Sequence, residues 1–243
     1  MSGNTCFTRR ESLADYLGNR EYVSSSQLRR FVRSGEKLPG AAGYAVFDNA
    51  FMGEALHALM LEPDVFESQY LVLDGSAPPG RQFSESEAMQ RNWLDAWQWT
   101  ALSKARDAVL ACTQAPVAEW LAQGEKELSI YWTDTRGDKW KARPDCFTGE
   151  MVLDLKTTTD CRPEPFARTR ARLRYDFQAA HYVEAVSTLT GGKPRFAYVT
   201  VELASPWTVW VHELTRHEIE DASETLRSVK LRYRDAAARM TGT

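Results

Sequence analysis

In the second half of the chain, apolar and polar residues alternate in short runs: "EKELSIYWTD", "KWKARPDCFT" and "MVLDLKTT". A period of two, bounded by turn-forming residues, predicts three strands. The first 120 or so residues carry helical spacing instead. Ser24-Ser25-Ser26-Gln27 has the signature of a helix start, a serine cap with glutamine at the third helical position, and "QLRRFVRSG" continues it to about Gly35. "DNAFMGEALHALMLEP" predicts a second helix, capped by Asp48 or Asn49 and stopped before Pro63. "FESQYLVLDG" reads as a short extended piece, "DGSAPPGRQF" as a turn-rich loop, and Ser84 with Glu87 as another capping box. From there to about Gln123 the pattern is helical, with Trp93 and Trp97 one turn apart on one face.

Beyond the three strands, "RYDFQAAHYVEAVSTLTGG" predicts a helix ended by Gly191-Gly192, and "RFAYVTVEL" and "WTVWVHEL" two more strands around Ser205-Pro206. The box Thr215-x-x-Glu218 opens a last helix, on which Ile219, Ala222, Leu226, Val229 and Tyr233 recur at helical spacing. Helices, three strands, a helix, two strands and a helix, in that order, predict an α/β (α+β) fold. A mixed central β-sheet would be flanked by helices and carry an N-terminal helical elaboration.

At 243 residues the chain fits a single domain, 1–123 forming the mainly helical part and 124–243 the sheet-containing core. No run of about 18 apolar residues exists, so no membrane partner is expected. The opening "MSGNTCFTRRESLADYLGNR" lacks the apolar segment of a secretory signal, and a cytoplasmic location is expected. Cys6, Cys112, Cys146 and Cys161 are scattered with no CxxC, which disfavours a zinc or iron–sulfur site. The formal charge of −3 argues against indiscriminate nucleic-acid binding. One basic strip stands out, with Arg162, Arg168, Arg170, Arg172 and Arg174 in "CRPEPFARTRARLRY".

The chemistry concentrates in "KARPDCFTGEMVLDLKTTTD", Lys141 to Asp160. A two-residue turn at Gly149-Glu150, glycine first, suits a type II′ hairpin. In that register Asp145 falls opposite Asp154 and Arg143 opposite Lys156, so two carboxylates and two cations share one face while Leu153 and Leu155 point to the core. Carboxylates about 5 Å apart raise each other's pKa unless a cation sits between them. A hard divalent ion takes oxygen ligands from one or two carboxylates and keeps positions for water and phosphate. Lys156 would position the water, help deprotonate it, or offset charge on the phosphate.

"RPD" followed by "LDLKTT", that is Pro144-Asp145 and then Asp154-Leu155-Lys156, resembles the PD-(D/E)xK nuclease signature. His57 in "GEALHALML" is similar to the helix histidine that precedes the strands in the RecB-like branch of that superfamily, and Gln178 and Tyr182 in "FQAAHY" to its Q-x-x-x-Y pattern. "YVSSSQLRRF" and "EKELSIYW" look closest to phage recombination exonucleases of the exonuclease VIII (RecE) kind, relatives of lambda exonuclease. The resemblance spans roughly residues 20 to 215. It implies a restriction-endonuclease-like core, and hydrolysis of DNA phosphodiesters with bound Mg²⁺ or Mn²⁺, two ions at the site. It implies metal ligands His57, Asp145, Asp154 and the Leu155 carbonyl, with Lys156 catalytic and Gln178 and Tyr182 orienting it or holding backbone phosphate. Glu127 matches an acidic position near the site, and Asp154 departs from the glutamate often found there.

Ser26, with Arg20 or Arg30, is implied as a 5′-phosphate site at a helix start, and the strip of Arg168, Arg170, Arg172 and Arg174, with Arg143, as backbone contacts. The activity implied is 5′→3′ resection of linear double-stranded DNA, leaving single strand for a phage-type annealing protein, in a homo-oligomeric ring (trimer or tetramer) inside a bacterial or phage-infected cell. Two alternatives carry less. A CRISPR-associated or AddB-like single-strand exonuclease usually has an iron–sulfur cysteine set, and a non-catalytic DNA-binding module would have lost an acid or the lysine.

Overall fold

A computed structural model describes residues 5–38, 48–73 and 91–241. The chain runs through β1 (Cys6–Arg9), α1 (Leu13–Gly18), α2 (Ser25–Arg33), α3 (Asp48–Leu61), α4 (Pro63–Gln69), β2 (Tyr70–Val72), β3 (Asn92–Leu94), α5 (Ala96–Leu110) and α6 (Val117–Gln123). It continues with β4 (Glu125–Lys126), β5 (Ser129–Thr133), β6 (Lys139–Ala142), β7 (Cys146–Phe147), β8 (Met151–Thr158), α7 (Pro163–Leu173), α8 (Tyr175–Thr190), β9 (Arg195–Glu202), β10 (Val209–Leu214) and α9 (Arg216–Thr241).

The five-stranded sheet has the order β10-β9-β8-β7-β4, and β8 and β9 are its parallel pair. Parallel neighbours need a crossover, which α7 and α8 supply. Strand β8 is covered on both faces. Val152 belongs to a core with Phe147, Phe196, Tyr198 and residues of α2, α7, α8 and α9. Met151, Leu153 and Leu155 face a second core with Leu56, Leu102 and Val109. The sheet therefore lies between two helical layers, as expected of an α/β arrangement.

Three expected strands break into five, and the breaks matter. "EKELSIYWTD" divides at Glu127, which has φ +49°, into β4 and β5; "KWKARPDCFT" divides at Arg143-Pro144-Asp145 into β6 and β7. β5 pairs with β1 on one side and β6 on the other in a separate three-stranded sheet. The chain thus steps twice from one sheet to the other, and a left-handed non-glycine residue is a costly conformation that clusters at functional places.

The hairpin register is the one read from alternation: Cys146 pairs with Leu153 and Phe147 with Val152 around Gly149 at φ +91°. The ladder ends there, so Arg143 is not opposite Lys156; it leaves with the other sheet. The Ser24–Gln27 box caps α2, and Thr215 and Glu218 exchange hydrogen bonds at the start of α9. Other expectations need correcting. Trp93 sits in β3 and only Trp97 in α5, so they do not share a helix face. "FESQ" completes α4, leaving Tyr70–Val72 extended, because Pro63 at the first turn starts a new helix. The "DGSAPPGRQF" turn, the Ser84–Glu87 box, and the side chains of Asp48 and Asn49 lie outside the described residues.

Candidate active site

Helix α3, the breaks after β4 and β6, and strand β8 bring their polar groups to one place. Donor atoms of His57, Glu127 and Asp145 lie within 4.8 Å of one another. His57 Nε2 is 2.7 Å from the Leu155 carbonyl oxygen, and His57 Nδ1 is 3.5 Å from Asp145 Oδ2. The backbone N–H of Leu155 donates to Asp145 Oδ2 at 2.7 Å, which ties the end of the β6–β7 break to β8. Gly53 permits the approach of α3, since a Cβ there would meet Thr157 Oγ1 at 3.2 Å.

Asp154 is fully buried. It ion-pairs with Lys156, and Gln178 Nε2 donates to its Oδ1 at 2.8 Å. The second proton of that amide reaches the Tyr182 hydroxyl at 3.0 Å. Gln178 therefore orients Asp154 rather than Lys156. Burial first, and then Asp145, raise the Asp154 pKa, with Lys156 opposing them. Burial pulls Lys156 down, but Asp154, Asp145 and Tyr175 outweigh it and leave its pKa above the ordinary value. Lys156 is thus an ammonium at neutral pH, suited to offset negative charge rather than to accept a proton.

Glu127 is pushed up to about 7, by burial first and then by Asp145. Arg143 opposes this. Its Nε donates to Glu127 Oε2 at 2.6 Å, its Nη2 to Glu62 Oε1 at 3.0 Å and its Nη1 to the Glu11 carbonyl at 2.8 Å. At 5% exposure, with each of its three nitrogens donating to a protein acceptor, Arg143 is turned inward and not placed as the backbone contact expected from the sequence. Beside Glu127 opens a cleft of about 380 Å³ lined by Arg10, Glu11, Glu62, Glu125 and Lys126.

The donor set suits a hard divalent cation: carboxylate and carbonyl oxygens with one imidazole. His57 Nε2–H donates to the Leu155 carbonyl at 2.7 Å, so an ion ligated by both would take the place of that hydrogen. One buried acceptor nearby, Gln178 Oε1, has no hydrogen-bond donor among the described residues, and Asp154 Oδ2 has the Lys156 ammonium as its partner. Such an atom normally finds a partner, and a water held by a cation would supply one.

The remaining candidates divide. Ser26 is exposed on α2 and its hydroxyl makes no hydrogen bond among the described residues, while Ser24 is the cap. Arg20 is exposed and Arg30 half-buried. The basic strip is helix α7 and is largely neutralised, with Arg162 on Asp160, Arg170 on Glu218 and Arg174 on Asp176. Arg168 and Arg172, one turn apart, remain exposed without an ion pair among the described residues. Sequence reading did not single out Glu62, Tyr175 or Arg29. Tyr175 opens the helix that carries Q-x-x-x-Y, three residues before Gln178, but Glu62 and Arg29 carry no local signal.

The sequence matches, over residues 24–240, a family described as a PDDEXK-like domain of unknown function (DUF3799). Among curated proteins none matches. A crystal structure of a candidate exonuclease from Eubacterium rectale resembles this chain with a TM-score of 0.66 at 18% identity, covering 96% of this chain and 88% of that one. At that identity the likeness is one of fold, and the fold is restriction-endonuclease-like.

Proposed function

Because the chain belongs to the family of PDDEXK-like domains, we propose that it is a divalent-metal-dependent DNA exonuclease, hydrolysing phosphodiester bonds from the ends of linear duplexes. The observation that carries this reading is the convergence of His57, Glu127 and Asp145 within 4.8 Å, beside the buried Asp154–Lys156 pair. His57, Asp145, Asp154 and the Leu155 carbonyl, with Glu127, would hold Mg²⁺ or Mn²⁺, one ion or two. When bound, such an ion polarises the phosphoryl group and lowers the pKa of attacking water.

The chain's own residues do the rest. Lys156, held protonated, faces the charge that grows on the phosphate. Gln178, itself held by Tyr182, fixes the carboxylate of Asp154. Arg143 keeps Glu127 in place from behind. Exposed Arg168 and Arg172 with Ser26, Arg20 and Arg30 are the proposed contacts to backbone and 5′ phosphate.

The family resemblance supports 5′→3′ polarity, a homo-oligomeric ring around DNA, and supply of single strand to a phage-type annealing protein. Linear duplex labelled at its 5′ or its 3′ end, incubated with Mg²⁺ or with EDTA, tests the proposal. Metal-dependent release of 5′-terminal nucleotide is expected, with closed circular DNA resistant. No metal-dependent release from either end would overturn it.

A further inference from the structure

We infer that Arg29, on α2, grips a second phosphate of the substrate strand, next to the one that faces Lys156. The inference rests on the nuclease reading above and extends it from a single phosphodiester to a strand.

Tyr175 opens helix α8, and its carbonyl accepts a hydrogen bond from the Tyr198 hydroxyl at 2.7 Å, which anchors the start of that helix to β9. Two cations use that ring. Lys156 Nζ lies 5.3 Å and Arg29 Cζ 5.4 Å from its centroid. They are therefore no farther apart than those two distances end to end, within the reach of neighbouring phosphates on one strand. Helix α2 is held there by its capping box and by Leu28 and Phe31, both fully buried.

Among the described residues, Arg29 Nε is buried without a hydrogen-bond partner and the guanidinium forms no ion pair. Neighbouring arginines differ: Arg170 and Arg174 each pair with a carboxylate. A buried charged donor left unsatisfied is costly, and stacking over tyrosine offsets only part of that cost. Nε itself is closed off, but the residue is only half-buried, and an anion on its open Nη edge would balance the charge; a planar guanidinium matches phosphate with two parallel hydrogen bonds. The ligand assigned to Arg29 is thus a phosphodiester of the bound polynucleotide, adjacent to the scissile one.

A chemical double-mutant cycle tests this. A series of linear duplexes carries one neutral methylphosphonate at successive positions flanking the scissile phosphate, and each is cleaved by wild type and by Arg29→Gln. At one position wild type should lose about tenfold or more in kcat/KM while Arg29→Gln loses no more, in the range of a charge-assisted hydrogen bond. Elsewhere the two proteins should respond alike. The contrast between positions is internal to each protein, so a general loss of folded protein cannot imitate it. Identical methylphosphonate profiles in both proteins overturn the inference. Fluorescence anisotropy with a labelled oligonucleotide in EDTA is the second readout. Arg29→Gln should reduce the slope of log Kd against log salt by about one, and an unchanged slope also overturns it. Wild type that binds with the Arg29-dependent slope but never cleaves refutes only the hydrolase reading.

Discussion

Replacing Arg143 by methionine keeps the stem of the side chain and removes the guanidinium. The side chain of Arg143 is 4% exposed and that of Glu127 12%, so the bond between them is a buried ion pair. Glu62, at 32%, can turn to water and adds little. Removing one partner of a buried pair leaves an uncompensated charge and costs about 3–5 kcal/mol. Glu127, already pushed up to about 7 with Arg143 present, escapes part of that cost by taking a proton.

The loss should therefore approach the full range at pH 8 and be smaller at pH 6. At roughly 2–4 °C per kcal/mol for a chain of this size, the pH 8 loss corresponds to a fall in Tm of roughly 6–20 °C. Urea melts at both pH values, followed by tryptophan fluorescence, read it directly. Glu127→Gln in the same background should recover part of the stability at pH 8. A loss below about 1 kcal/mol, equal at both pH values and joined to weaker DNA binding, would refute this and restore Arg143 as a surface DNA contact.

Asp154→Asn and Lys156→Ala should each slow metal-dependent cleavage by at least about 10²-fold while circular dichroism stays native; full activity in either removes that residue from the proposed site. For metal-free protein, the raised pKa of Glu127 means that the folded state holds more protons than the unfolded one between about pH 4.3 and about 7. Tm in EDTA should accordingly fall as pH rises through that window. Mg²⁺, which binds the ionised carboxylates, should reverse the trend, and identical profiles with and without the ion would contradict it. Gly124→Ala should cost about 1–3 kcal/mol in a chemical melt, because the new Cβ would stand 2.3 Å from Cys146 Sγ and 2.8 Å from the Trp120 carbonyl. Cys146→Ala should relieve part of that loss.

What was legible in the sequence was what depends on near neighbours. A glycine at Gly149 and period-two alternation specify the β7–β8 register, and two capping boxes mark α2 and α9. Arg143 was misread because its partners are distant: Glu127, Glu62 and Glu11 lie 16, 81 and 132 residues away. Opposite Lys156 it looked like a second surface cation. In the fold, the strand breaks at Pro144 and carries it inward. The left-handed turn at Glu127 likewise has no local signature, since it is imposed by the two sheets it joins. Arg29 was passed over because its meaning depends on Tyr175, which only the packing of α8 against α2 brings near.

The double step between sheets has a mechanical consequence. Glu127 stands where β4 gives way to β5 and Asp145 where β6 gives way to β7, so the candidate ligands straddle the seam between the two sheets. Anything that binds both carboxylates adds its binding free energy to the cohesion of that seam, in proportion to its occupancy. Force or denaturant that parts the sheets must also dismantle the site. A protein built this way holds itself together most firmly while it is at work.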